Sequence, residues 1–161
     1  MGVTLEEITF ETVREVAALK VNHEQQTFVA SNALSIAEAH FNPGAWVRKI
    51  AADDKIVGFV MLLDPTISGA LTRGTVANDE IFLWRFMVDH HHQRKGYGRL
   101  ALDLICEHLR QQGKANRILS SYIEGPHGPE QFYMNYGFRR TGHLRNSDRE
   151  IEIAFPLERS A

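Results

Sequence analysis

The chain has 161 residues, 43% hydrophobic and 24% charged, with a formal net charge of −2. That length suits one globular domain, residues 1–161, with a single sizeable core. A weakly acidic balance without a basic stripe argues against nucleic acid as a partner. The opening MGVTLEEITF is neither a leader nor a membrane span, and no apolar run reaches the ~20 residues that cross a bilayer, so a cytoplasmic protein without a membrane partner is expected. In chain order, Val3 to Ile8 reads as a strand. Thr9 or Thr12 then caps a helix carrying Val13, Val16, Ala17 and Leu19. A second helix is predicted from Gln25 to His40, its apolar face formed by Phe28, Val29, Ala33, Ile36, Ala37 and Phe41. Trp46 to Ala52 and Ile56 to Leu63 form a strand pair turned at Asp53-Asp54. Asp64 to Asn78 is a loop, and Ile81 to Val88 a buried central strand. A helix with Leu102, Ile105 and Leu109 on one face follows and stops at Gly113. The lone Cys106 lies on this helix and reads as a small apolar residue. Ile118 to Ile123 is a strand and Pro129 to Tyr136 a short helix. Two last strands, Phe138 to Leu144 and Glu150 to Phe155, turn at Asn146-Ser147-Asp148. The elements amount to a mixed α/β sheet.

The chemistry concentrates in DHHHQRKGYG, residues 89 to 98. His90, His91 and His92 are consecutive, and neighbours on an extended chain point apart, so a polar turn is expected rather than a metal site. Gly96 to Ala101 matches G-x-G-x-x-[GA], but HHHQRK separates the strand from the first glycine, and too little chain follows for a dinucleotide-binding sheet. Two readings remain. One is a solvated glycine turn. The other is a phosphate cradle, in which free amides at a helix N-terminus, with Arg94, Lys95 and Arg99 nearby, receive a diphosphate.

The stretch LWRFMVDHHHQRKGYGRLALDLI resembles the acetyl-CoA-binding motif of the GNAT superfamily of N-acetyltransferases. Gln93-Arg94-Lys95-Gly96-Tyr97-Gly98 fits that family's [QR]-x-x-G-x-[GA] signature, and Phe132 to Phe138, FYMNYGF, fits its F-Y-x-x-x-G-F element one strand later. The segment Gln25 to Ala30, VGFVML and LWRFMVD further resemble a bacterial branch described as spermidine/spermine acetyltransferases. The resemblance implies a mixed, mostly antiparallel sheet of about seven strands flanked by four helices. It also implies transfer of an acetyl group from acetyl-CoA to the primary amine of a small molecule, a polyamine among the candidates, without a metal. Protein N-acetylation and a non-catalytic acetyl-CoA-binding module are the alternatives. A homodimer through the edge of the last hairpin is a further expectation.

The resemblance also assigns roles. The backbone of Phe86, Met87 and Val88 pairs with the pantetheine arm, and an N–H of Met87 or Val88 meets the oxyanion. Gln93 to Arg99 hold the diphosphate, and Pro126 to Pro129 flank the pantetheine. In that last segment relatives often carry Asn, where this chain has Gly-Pro-His-Gly-Pro. Tyr133 takes the general-acid position. Relatives often place a basic Glu where this chain has Trp84, so Glu80 acting through a water is the first candidate base, with Glu24 and Glu38 as further candidates and proton loss to water without a dedicated base as the alternative. Arg85, in an apolar strand, calls for a carboxylate partner. Trp46 and Trp84 are expected to wall the acceptor pocket, and Asp64, Asp79, Glu80 and Glu24 to bind a polyamine.

Overall fold

The computed structural model describes residues 2–157; Met1 and residues 158–161 of the expected domain lie outside the described residues. The elements are β1 (Val3–Glu6), α1 (Val13–Ala18), α2 (Asn32–His40), β2 (Ala45–Ala52), β3 (Lys55–Leu63), β4 (Glu80–Val88), α3 (Tyr97–Gln112), β5 (Arg117–Tyr122), α4 (Glu130–Tyr136), β6 (Arg139–Arg145) and β7 (Glu150–Pro156). Seven strands form one sheet in the order β1-β2-β3-β4-β5-β7-β6. Only β4 and β5 run parallel; every other neighbouring pair is antiparallel. This is the mixed sheet with four helices that the resemblance implies. No helix among the described residues is long and apolar enough to cross a membrane.

Local chemistry explains the joints. Asp53 and Asp54 both take positive φ, 50° and 65°, which gives the two-residue hairpin turn its compatible twist. The helix α3 buries Ala101, Leu102, Ile105, Cys106 and Leu109 along one face and ends at Gly113 in the left-handed conformation. Leu102, Ile105, Cys106 and Leu109 join Val60, Leu83 and Ile118 in the main core, and Ala101 packs with Ile50 and Val57 beside it. Burying Leu102 or Ile105 completely contributes roughly 1.5–3 kcal/mol each.

Two expectations are corrected. The helix predicted from Gln25 starts at Asn32, because the Ser31 Oγ accepts the Leu34 N–H at 3.2 Å and caps it there. Its phase changes accordingly: Asn32 and Ser35 are buried, while Phe41 is 77% exposed. Residues 26–30 therefore form turns, not helix. The second correction concerns β4. Simple alternation groups Trp84 with Phe86, and Leu83 with Met87. The ladder to β3 instead pairs Met61 with Arg85 and Leu62 with Leu83, leaving Trp84 as an extra residue in a β-bulge. Leu83 and Phe86 consequently share the α3 side of the sheet, and Trp84 and Met87 the other.

Candidate active site

The parallel ladder between β4 and β5 stops at Phe82↔Leu119. One more link follows, from the Ser120 hydroxyl to the Leu83 carbonyl at 2.9 Å. Beyond it the bulged β4 has no partner on that edge, and a cavity of about 1340 Å³ opens, lined by Phe82 to Val88 on one side and Ser120 to Ile123 on the other. A bulge bends its strand and increases the twist, which accounts for the separation.

The register shows which amides face the gap. The Asp89 N–H donates to Val57 O at 2.8 Å, so Gly58↔Val88 is a pair that exchanges no backbone hydrogen bonds. Alternation makes Phe59↔Met87 the pair that does, and Val60↔Phe86 again a pair that does not. The backbone groups of Phe86 and Val88 thus point away from β3, into the cleft. Those of Met87 are spent on the ladder, which corrects the expectation that Met87 offers an N–H. The Val88 carbonyl is occupied by Gln93 Nε2 at 3.0 Å, leaving its N–H as the open group.

The same cavity reaches the turn before α3. Arg94, Gly96, Tyr97, Gly98 and Arg99 line it. Gly96, the residue before the helix, has φ 83°, a left-handed conformation that disfavours side chains. At Gly98 a Cβ would stand 3.1 Å from the Phe132 ring, so a side chain there would require that ring to shift. The turn brings unpaired N–H groups, the positive end of a 16-residue helix and two arginines to one place. Gln93 ties this wall to the segment after α1, since its Nε2 also donates to Gln25 Oε1 at 2.9 Å.

Tyr133, on α4, lines the cavity and is 6% exposed. Burial pushes its phenol up to about 12, and a hydrogen bond with the Ser120 hydroxyl offsets part of that rise. It is therefore a fully protonated donor at neutral pH. Tyr136, one turn on, donates to Asp103 Oδ1 at 2.8 Å and contacts the Cys106 thiol. Its role is packing and anchoring.

The far end of the cavity is built from separate segments: Phe28, Leu71, Arg73, Trp84, Arg145 and Glu150. Arg145 is buried and pairs with Glu152 at 2.9 Å. It also donates to Thr75 O at 2.9 Å and Arg73 O at 3.1 Å, holding the 64–79 loop as part of the wall. Glu150 accepts the Ser121 hydroxyl at 2.6 Å. It is the only carboxylate among the described residues that line the cavity.

Residues 10–138 match the profile of the Acetyltransferase (GNAT) family. The chain belongs to that family. Among curated relatives, the spermine/spermidine N(1)-acetyltransferase of Bacillus subtilis strain 168 is 25% identical over 158 residues, covering 95% of this chain and 98% of the relative. Among solved structures, an aminoglycoside acetyltransferase in complex with coenzyme A aligns with TM-score 0.77 at 11% identity, covering 96% of this chain and 95% of that one. A ribosomal-protein alanine N-acetyltransferase from Escherichia coli aligns with TM-score 0.64 at 17% identity over 99% and 97% of the two chains. The protein is a GNAT N-acetyltransferase acting on amines.

Several expectations for this GNAT enzyme fall elsewhere. Glu80 lies outside the cavity lining, and both its oxygens are engaged: Oε1 by Arg117 at 2.6 and 2.8 Å, Oε2 by the Ala77 N–H at 2.9 Å. It closes the foot of β4 and cannot serve as the base. Asp64 pairs with Lys114 and the Thr66 hydroxyl, Asp79 with Asn116, and Glu24 with His127. None of the four expected acceptor carboxylates lines the cavity. Trp46 stacks on His108 with centroids 4.7 Å apart, away from the cavity; Trp84 does wall it. Lys95 and Pro126 are exposed and outside the lining, which is completed by His127, Gly128 and Pro129. Sequence reasoning missed Glu150, Arg73 and Arg145, which carry no motif.

The histidine run has a structural use. Asp89 is buried; its Oδ2 accepts the Lys20 N–H at 2.9 Å and its Oδ1 the His91 N–H at 3.0 Å. The His90 N–H donates to Lys20 O at 2.9 Å. Ligand atoms of Asp89, His90 and His91 do come within 4.8 Å of one another, closer than the expectation for neighbouring side chains. Both Asp89 oxygens are already committed to amides, which suits an anchor between the α1 exit and the α3 turn.

Proposed function

We propose that the enzyme transfers the acetyl group of acetyl-CoA to the primary amine of a small molecule by direct attack on the thioester. One observation carries this reading: a single cavity joins the free amides of Phe86 and Val88, the N-terminal turn of α3 and the Tyr133 phenol. The turn from Gln93 to Arg99 receives the diphosphate of the co-substrate, with Arg94 and Arg99 supplying charge. The N–H groups of Phe86 and Val88 pair with the pantetheine arm as an added strand would and meet the carbonyl oxygen as it gains charge. One such donor is worth about 3 kcal/mol. Tyr133 protonates the departing thiolate. Glu150 receives the ammonium proton, directly or through water, in place of the strand Glu that Trp84 displaces. The bounded far end, with the 64–79 loop held by Arg145, favours a small acceptor over a protein chain. The names of the curated relatives favour polyamines as a second reading of the acceptor.

The test is thiol release from acetyl-CoA with a panel of primary amines, spermidine included. Tyr133→Phe lowers kcat on the order of 10²-fold and leaves acetyl-CoA affinity unchanged. Undiminished turnover in that variant removes the acid role; no thiol release with any amine removes the acceptor class.

A further inference from the structure

The charges at the far end of the cavity do not suit a polycation. Arg73 and Arg85 line it beside Arg145, and Glu150 is the only lining carboxylate among the described residues. Arg145 is matched by the buried Glu152. Arg85 is not matched as well. Its nearest carboxylate is Glu38, on α2, at 3.8 Å, and neither Glu38 Oε2 nor Arg85 Nε finds a hydrogen-bond partner. One N–H of the guanidinium donates to Trp84 O at 3.1 Å. A pair kept only to brace α2 against β4 would be expected to be short and fully hydrogen-bonded, since burying loose charges destabilises a fold. Arg85 also immediately precedes Phe86, whose amide faces the reacting carbonyl, and it feels the charges of Glu150 and Arg73 across the cavity. Around these charges the wall is apolar: Phe28, Leu71, Phe82 and Trp84.

We infer that the acceptor is an amino carboxylic acid with an apolar body: Arg85, with Arg73, binds its carboxylate, and Glu150 draws in its ammonium group. The inference rests on the acetyl-transfer reading above and names its substrate class. A guanidinium holds a planar carboxylate through paired N–H donors, and an uncharged or cationic group at that place leaves those donors unused.

The test compares matched pairs that differ by one group. Phenylalanine is set against phenethylamine and against phenylalaninamide, leucine against isoamylamine, and all against spermidine, with kcat/KM read from thiol release. The expected result is roughly a tenfold or greater preference for each free acid, the range for a charge-assisted hydrogen bond. Arg85→Met combined with Glu38→Met removes both buried charges together, so no orphan is left. It is expected to bring acid and amine within about twofold while turnover of the plain amine persists. Arg85→Lys retains part of the preference. Equal or better turnover of spermidine, phenethylamine or the amide overturns the inference but leaves acetyl transfer standing, as does a preference that survives the double variant. Absence of thiol release with every amine overturns both.

Discussion

The two ends of the cavity are made differently. The end we assign to the donor is a contiguous run, Phe86 to Arg99, which offers largely backbone amides fixed by a strand edge and a helix start. The acceptor end is assembled from side chains at positions 28, 71, 73, 84, 85, 145 and 150, brought together by four separate stretches of chain. Backbone recognition is insensitive to most substitutions, so the donor end can stay constant while the other changes. Side-chain recognition is the part free to vary, and here it carries an excess of arginine.

If the two ends are separable, substitutions should divide cleanly between them. The largest expected effect is at Arg145. Arg145→Met strands the buried Glu152 and releases the 64–79 loop, costing roughly 3–5 kcal/mol of stability in denaturant titration. At temperatures where the variant is folded, acceptor kcat/KM should fall while acetyl-CoA affinity holds; parallel losses would break the separation. Next is Tyr133→Phe, about 10²-fold in kcat with neither ligand's affinity altered. The same residue sets a pH expectation. Its pKa is raised to about 12, so the acid stays protonated well past the usual phenol range, and kcat should show no decline with a midpoint near 10. Such a decline would assign the alkaline limb to an unburied Tyr133.

Smaller effects should appear on the donor side alone. Gly96→Ala forces a side chain into the left-handed region and costs about 1–2 kcal/mol. It should raise the KM for acetyl-CoA and leave discrimination between acceptors as it was. The smallest concerns Asp89. Burial works to raise its pKa, but the N–H groups of Lys20 and His91 and the His91 ring outweigh it, and the carboxyl ends below its usual value. A depressed pKa stabilises the fold fully above the unfolded-state value, about 4, and that contribution is lost as the pH falls below it. Asp89→Asn should therefore cost about 1 kcal/mol near neutrality and flatten the acid limb of the stability curve.

How much of this was legible in the sequence divides along the same line. The order of strands and helices, the glycine turn before α3 and the position of Tyr133 on a short helix were readable, because glycines, periodic apolar residues and aromatic clusters mark local structure wherever they stand. Glu80 misled because a carboxylate beside a strand looks the same whether it faces a substrate or Arg117. The β4 face was misassigned because an inserted residue reverses side-chain parity without leaving a mark in an apolar run. The start of α2 was misplaced because Phe28 and Val29 happen to continue the helical period that Ser31 interrupts. Glu150, Arg73 and Arg145 sit in unremarkable polar surroundings and acquire meaning only from their neighbours in space.

The unpaired Trp84 has a wider bearing. A strand with one surplus residue cannot lie flush against both neighbours, so the opening is inherent in the covalent chain and needs no ligand to pry it apart. Deleting a single residue there would let β4 and β5 zip together and would turn every side chain upstream of the cut to the opposite face. The cleft is thus an arithmetic property of the strand, and side chains around it can be exchanged without closing it only so long as that count is kept.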